Sequence, residues 1–436
     1  MAKVLTPLDA HAIMNALVAQ ATGQASITAT DTSSFVAAGE LVLATGMENT
    51  LNALSLVLGR TMVAVRPYGA KLNILNAINT GAYSHRLRKI SFYSGPALPA
   101  GDWNTDLYTN LAEGYDNGTN GATGSTPPTN STASQWEQHR KVPLEVNFSS
   151  QNVWNDCITL YEYQVKQAFR DEQSFNAFVA GILTEHGNDI ESQKEAFNRM
   201  TLINYIAGVY DLDAASSTGR VVNLTKAFNT YYNLATPYTT SELLTTYLKE
   251  FMEFFVSEYK KYSDLMTYRS ASVHHAPAGP NGEALLRHTP KDKQRFICYN
   301  PFWLKARAMV MPEIFSPQYL AEPRFEAVDF WQSFGDGPAI KVTPAIPDFD
   351  STSGTFGTQV AGSAVSLDYV LGILYDEDAI MTDFQLESAA TTSLEARKRY
   401  RNSWLAISRG AIADYTENAI IFTMEDEAGG DGGDGG

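Results

Sequence analysis

Three features of the 436-residue sequence predict an α+β fold. Two strand-like runs flank a long polar insertion near the end of the first third. A long stretch of helical periodicity follows over 153–210. Strand-like runs then return after a mixed segment and close the chain. Strands and helices that cluster in blocks, rather than alternating one by one, point to α+β and not to a doubly wound sheet. The length corresponds to about three domain-sized units and needs no disulfide or metal to stabilise a core.

Thr6-Pro7-Leu8-Asp9 is a helix start: a capping hydroxyl, proline at the first helical position, and an acid near the positive helix end. Ile13 and Leu17 give a narrow apolar stripe, and the Ser/Thr/Ala-rich residues 22–35 read as an extended connector. The segment is therefore expected to be an arm that packs on something else. Helical spacing resumes over 46–58 with Met47, Leu51, Leu54 and Leu58, and Thr61–Arg66 alternates like a strand.

Arg88–Ser94 (RKISFYS) and Lys141–Phe148 (KVPLEVNF) predict a long hairpin. Its tip, Asn117–Ser134, consists of Gly, Ser, Thr, Asn and Pro apart from two alanines, and such a run cannot build a core. Loops of this length are usually functional. Over 153–210 helices are predicted, one beginning near Glu172 with Phe175, Phe178, Val179, Ile182 and Leu183 on one face. His186-Gly187-Asn188 is expected to interrupt it, and Asp211–Gly219 to end it. Leu244, Leu248, Phe251, Phe255, Tyr259 and Tyr262 mark an amphipathic helix over 241–263. Arg295–Tyr299 is a buried-strand candidate and Asn300-Pro301 starts a helix. Phe325–Trp331, Ala339–Ile346, Tyr369–Tyr375 and two runs between Asn402 and Met424 read as strands. Ser393–Arg401 (SLEARKRYR) is a short basic helix or turn, and the tail after Met424 is acidic and glycine-rich, with disorder expected.

Lys and Arg number 32 against 48 Asp and Glu, a net charge of −16. That balance disfavours a nucleic-acid clamp as the main activity, because phosphate binding needs clustered cations. One local exception stands out: Arg60, Arg66, Lys71, Arg86, Arg88 and Lys89 occur with no acidic residue between Glu48 and Asp102. They read as either a solvated face or a patch that meets acidic neighbours or nucleic acid. The two cysteines, Cys157 and Cys298, form no CxxC pair and are expected to be small core residues. No run of 18 apolar residues occurs, so no membrane span is expected.

Catalytic constellations are absent at the level of motifs: no GxGxxG, Walker loop, GxSxG or HExxH. His274-His275 is the one suggestive histidine pair, but neighbours on an extended chain point to opposite faces. Asp348-Phe349-Asp350 lacks the later glutamate of a calcium loop. Asp376-Glu377-Asp378 could seat a cation, yet after a strand it reads as a turn. No cofactor, metal or catalytic residue is expected.

The order of elements carries more than any motif. Thr50–Leu75, Val146–Leu183, Arg295–Met309, Val370–Ser388 and Tyr400–Met424, in that order, resemble the major capsid proteins of tailed phages, whose shared coat fold is of the Hong Kong ninety-seven type. The pattern is similar to the coat proteins of short-tailed phages of the phi-twenty-nine kind. The resemblance covers most of residues 46–424 and rests on pattern and order, since this family has no short diagnostic motif.

It implies an N-terminal arm (1–60) and an extended loop with its flanking strands (61–150). A peripheral domain with a spine helix (151–215), an axial domain (216–378), peripheral return strands (379–424) and a disordered tail (425–436) follow. Arg86, Arg88, Lys89, Trp103, Trp136, Arg140 and Lys141 would then be the inter-subunit residues of the extended loop, with Arg60, Arg66 and Lys71 as a basic patch. The implied function is self-assembly into hexamers and pentamers of a shell around double-stranded DNA, in the virion and, during assembly, the host cytoplasm. The implied partners are further copies of the chain, a separate scaffolding protein, a portal protein and the packaged double-stranded DNA, without sequence-specific contact; no membrane is implied. Two alternatives remain open at this point: a nanocompartment shell of the encapsulin kind, and an acidic metal-dependent hydrolase using Asp376–Asp378.

Overall fold

The computed structural model describes residues 7–23, 28–46, 50, 53–54, 72, 75–78, 86–94, 142–149, 152–169, 172–216, 219–279, 283–309, 324–350, 353 and 355–426. The helix expected over 46–58, the strand Thr61–Arg66, the hairpin tip and the tail from 427 onward lie mostly or wholly outside them.

Two helices open the fold, α1 (Pro7–Thr22) and α2 (Thr32–Ala44). The second was not expected, because 22–35 reads as a connector. Its start is set by Asp31, whose carboxylate accepts the Ser34 N–H while the Ser34 hydroxyl closes a capping box. Met14, Leu17 and Phe35 pack with Val165, Phe169, Phe175 and Val179 in one cluster, so the described arm folds back on its own chain.

The hairpin is formed by β2 (Arg86–Phe92) and β3 (Pro143–Ser149), paired antiparallel over seven residue pairs; β1 (Asn76–Ile78) precedes it. Next comes β4 (Asn152–Tyr161), where helix was expected. Its apolar positions gain a ten-residue antiparallel partner in the closing half of the chain, and that pairing overrides the local helical reading.

After α3 (Glu162–Ala168), helix α4 (Glu172–Ser216) runs 45 residues without a break at His186-Gly187-Asn188. At 1.5 Å per residue it spans about 67 Å. One helical glycine costs only about 1 kcal/mol, and each end of the helix is held by its own core. Phe175 and Val179 enter the N-terminal cluster, whereas Leu202, Ile203, Tyr205, Ile206 and Val209 enter the central one.

The central core lies against a five-stranded sheet. Its strands are β5 (Val221–Asn223), β6 (Gln294–Tyr299), β7 (Arg324–Val328), β12 (Val370–Asp376) and β15 (Ala419–Thr423), in the order β5-β15-β12-β6-β7. Ile297, Ile373 and Ile421 face α4. Phe296, Leu374 and Phe422 face the opposite layer with Phe228 of α5 (Leu224–Tyr231) and Phe251 and Phe255 of α7 (Leu248–Leu265). With both faces covered, β12 is buried along its whole length. The amphipathic helix expected over 241–263 is two pieces, α6 (Thr240–Leu243) and α7, because the chain turns at 244–247 with the N–H groups of Thr246 and Tyr247 both directed to Glu242 O. Helix α8 (Asn300–Met309) begins where expected. Two short ribbons pair β8 (Ile340–Val342) with β11 (Val365–Leu367) and β9 (Ala345–Pro347) with β10 (Gln359–Ala361).

Gly372 marks the tightest point of the five-stranded sheet. A Cβ there would lie 2.6 Å from the Ile297 carbonyl oxygen and 3.0 Å from the Phe296 ring. Gly372→Val is therefore expected to cost about 3 kcal/mol or more. Thermal denaturation of the variant against the parent chain checks this.

A second, four-stranded sheet runs β1-β13-β14-β4, with β13 (Ile380–Thr391) and β14 (Tyr400–Ala413) as a long hairpin. The basic run Ser393–Arg401 is the turn of that hairpin and not a helix. Ala419–Thr423, expected among the return strands of 379–424, pairs in the five-stranded sheet instead, between β5 and β12. The sequence Ala-Ile-Ile-Phe-Thr is apolar at consecutive positions, which suits the doubly covered sheet.

Candidate functional site

Two tight turns carry the chain directly from one sheet to the other, the β12–β13 turn (376–379) and the β14–β15 turn (414–418). The two turns are bonded together: Asp376 N–H donates to Asn418 O at 2.9 Å, and Asp414 N–H donates to Ala379 O at 2.8 Å. The base of the β2–β3 hairpin docks on this junction, and the contacts are charged.

Strand alternation sends Lys89 and Ser91 toward the body and Arg88, Ile90 and Phe92 away from it. Lys89 Nζ donates to both Asp414 and Glu417. Asp414 is 1% exposed and Lys89 22%, so this clasp is largely removed from water. Arg287 lies 3.5 Å from Glu417 and donates to Ser91 Oγ at 2.6 Å and to Thr416 O at 3.2 Å. Arg269 donates to Ser94 Oγ at 2.6 Å, and Tyr93 donates its hydroxyl to Pro277 O at 2.9 Å. The hairpin is thus bound at its root to the loop 269–287 and to the turn 414–417. Asp414 is itself held, accepting the Thr416 N–H at 2.9 Å and the Thr416 hydroxyl at 2.6 Å.

Two carboxylates share one ammonium here, and Lys89 and Glu417 both shift. Burial pulls the Lys89 ammonium down, but the attraction of Asp414 and Glu417 outweighs it and holds Lys89 above its ordinary value. Burial pushes the Glu417 carboxyl up, and the opposing pull of Lys89 and Arg287 does not bring it back.

Behind the clasp lies a buried polar cluster. His274 Nε2 donates to Leu285 O at 2.7 Å, and Nδ1 lies 3.3 Å from Asn418 Oδ1, which the uncharged ring cannot also donate to. Asn418 donates to Thr289 Oγ1 at 3.2 Å, and the Thr289 hydroxyl donates to Asp376 Oδ2 at 2.7 Å. Burial pushes His274 and His275 down to about 4, so both are uncharged at neutral pH. Burial pushes the Asp376 carboxyl up, against the hydrogen bonds of Asp378 N–H and Thr289.

The expected loop residues separate accordingly. Arg88 pairs with Glu145 at 2.7 Å on the exposed face, and Lys89 forms the clasp; the strand backbone includes Arg86. Arg88 and Lys89 are matched by acids 57 and more than 300 residues away, which explains why the sequence shows no local counter-charge. Trp103, Trp136, Arg140 and Lys141, together with Arg60, Arg66 and Lys71, lie outside the described residues. Sequence reasoning passed over Asp414, Glu417, Arg287 and Arg269. The only available signal was an acidic turn between two strand-like runs, which occurs in most proteins.

The chemistry-bearing candidates do not converge. Glu377 pairs with Lys293 and Arg295, and Asp376 faces Thr289. His274 and His275 take separate surroundings, the latter against the Phe349 ring at 4.6 Å. Asp348 accepts from Thr355 at 2.7 Å within its own loop. Among the described residues no three His, Cys, Asp or Glu side chains are placed to hold a metal ion, and no helix is long and apolar enough to cross a membrane. Cys298 is buried in the core and Cys157 half-buried.

On the side away from the body the hairpin carries two open apolar side chains beside the Arg88–Glu145 pair. Ile90 is 50% and Phe92 57% exposed, opposite Glu145 and Pro143 of β3. An isolated two-stranded ribbon is marginal in water. This one is fixed at its root and offers a face of unburied apolar surface along its stem.

No family model matches the sequence, and no curated protein matches it. Among solved structures the chain is similar to a chain in the capsid structure of Staphylococcus phage Andhra, at 11% identity and a TM-score of 0.48, covering 82% of this chain and 85% of that one. It is similar to a chain in the structure of the head fiber and inner core protein gp22 of native bacteriophage P68, at 11% identity and a TM-score of 0.46, with 82% and 85% covered. A third similarity is to a chain of the asymmetric unit of the bacteriophage PhiM1 mature capsid, at 8% identity and a TM-score of 0.40, with 83% and 88% covered.

Proposed function

We propose that the chain is the major capsid protein of a tailed phage, building the hexamers and pentamers of an icosahedral or prolate shell around double-stranded DNA. Within that reading it belongs with the short-tailed phages of the phi-twenty-nine kind, assembles with a separate scaffolding protein and a portal protein, and resides in the virion. The observation that carries the reading is the hairpin: clamped at its root by Lys89, Arg287 and Arg269, it holds Ile90 and Phe92 away from the body. A thin wall gives compact bodies little mutual surface, so a shell subunit needs arms that bury apolar area on a neighbour. Strand addition and face packing are the available modes, and closed symmetry repeats the contact many times. The resemblance in element order points the same way.

Negative-stain microscopy of the purified chain, in dilute and in concentrated solution, tests this. Rings of five or six copies, or closed shells, are expected. A chain that stays monomeric in both preparations overturns the reading.

A further inference from the structure

We infer that the outer edge of β4 is a pairing surface for the same strand of a second copy of the chain, and that Asp156 keeps it closed. The inference does not depend on the shell reading.

Strand β4 (Asn152–Tyr161) ends the four-stranded sheet: β14 lies on one side of it, and among the described residues no strand lies on the other. Two backbone bonds fix which groups face outward. Thr392 N–H donates to Asn402 O at 2.9 Å, so the even-numbered residues at this end of β14 turn their polar groups toward β13. Glu162 N–H donates to Arg399 O at 3.0 Å, so the odd-numbered ones turn toward β4. The register then runs unbroken, with Leu405 opposite Asp156 and Trp404 opposite Cys157. Bonded and unbonded residues alternate in an antiparallel pair. Asp156 and Ile158 therefore bond to β14, whereas Val153, Asn155, Cys157, Thr159 and Tyr161 present N–H and C=O groups to the free edge.

That row is blocked at its centre. The Asp156 carboxylate bends along the strand and accepts the Cys157 N–H, the middle donor of the row, at 2.9 Å. It occupies the place where a partner strand would put a carbonyl oxygen, and it adds a negative charge. Charged side chains are one of the means by which exposed edges are kept from pairing.

The row is also self-complementary, which identifies the partner. A two-fold axis through Cys157 sets Asn155 of each copy against Thr159 of the other, and both residues are exposed. Cys157 then faces its own counterpart, and the two four-stranded sheets become one. The same axis brings the two Asp156 carboxylates to diagonal positions on one face, where like charges repel. The contact is closed, so it stops at two copies.

Cys157 reports on the pairing. Opposed residues of a bonded antiparallel pair have Cα atoms about 5.5 Å apart, within disulfide reach, and the other cysteine, Cys298, is buried. Full-length chain carrying Asp156→Thr is expected to self-associate on the order of tenfold more tightly than the parent in analytical ultracentrifugation. Mild oxidation is expected to convert that variant, and not the parent, to a Cys157-linked dimer on non-reducing electrophoresis. Adding Asn155→Pro removes an outward donor at an edge position that tolerates proline, and is expected to restore the parent's behaviour. In the parent, amide exchange at Cys157, corrected for intrinsic rates, is expected to be slower than at Asn155 and Thr159, a readout that needs no variant. An Asp156→Thr chain that neither associates nor links overturns the inference, as does a dimer that survives Asn155→Pro. Equal exchange at the three amides, or a parent that links through Cys157 as readily as the variant, overturns it too.

Discussion

Lys89→Ala is expected to destabilise the chain by about 3–5 kcal/mol, because it removes the ammonium shared by two largely buried carboxylates, Asp414 and Glu417, and leaves only Arg287, 3.5 Å from Glu417, to offset them. Arg88→Ala, one residue earlier, is expected to cost about 0–1 kcal/mol, since its partner Glu145 and Arg88 itself are both exposed. Thermal denaturation of the two variants at neutral pH makes the comparison. The Lys89 variant also carries a pH signature. Burial already holds the Glu417 carboxyl above its ordinary value, and without Lys89 it rises further. The folded variant then binds a proton that the unfolded chain does not, so its stability improves as pH falls through that range. The gap between variant and parent is expected to narrow on acidification. A gap that is constant or widens would show that Lys89 does not act through these carboxylates. Limited proteolysis gives the local counterpart: cleavage at the root of the hairpin is expected to accelerate in the variant.

The parent chain itself is expected to lose stability between pH 6.5 and about 4, and the sign follows from His274 and His275. Burial lowers both to about 4 in the folded chain, whereas the unfolded chain titrates near 6.5. Over that interval the unfolded state binds more protons, so the stability present above pH 6.5 is lost progressively as pH falls. Each imidazole contributes about 3 kcal/mol to the loss by pH 4. Asp376 and Glu417 oppose it, because their raised values favour the protonated folded chain in the lower part of the range. The net loss is therefore smaller than the two histidine contributions together. His275→Phe, which keeps an aromatic ring against Phe349, is expected to remove the His275 share, about 3 kcal/mol, from the acid loss. Melting temperatures at half-unit pH steps check both statements. A flat profile in the parent chain would exclude the histidines as the cause.

Much of the architecture was legible because burial imposes period. The runs at β6, β12 and β15 are apolar without alternation, as a doubly covered sheet requires, and the Arg88–Ser94 and Lys141–Phe148 runs pair as a hairpin. The failures are places where a distant partner decides. Asn152–Tyr161 is a strand because Tyr400–Arg409 lies beside it. His186-Gly187-Asn188 stays helical because Phe175 and Ile206 anchor the helix on either side. Helix α2 hangs on one capping box in a run of small residues. The clasp was hidden for the same reason: Lys89 and Glu417 lie 328 residues apart, and no local pattern encodes that distance.

The strand order of the central sheet also bears on how the chain is made. The strand Ala419–Thr423 lies between Val221–Asn223 and Val370–Asp376, so the first of these has its only sheet partner roughly 200 residues downstream among the described strands. At a translation speed of about 5–20 residues per second, Val221–Asn223 emerges some ten to forty seconds before that partner exists. Until then Val222 has an uncovered flank, and so do Ile373 and Leu374 once they are made. The nascent chain is therefore a species in its own right, with an adhesive edge, until its closing strand follows roughly 200 residues after Val221–Asn223. A ribosome that stalls or stops short of Thr423 releases a product in which Val221–Asn223 is cut off from the rest of its sheet.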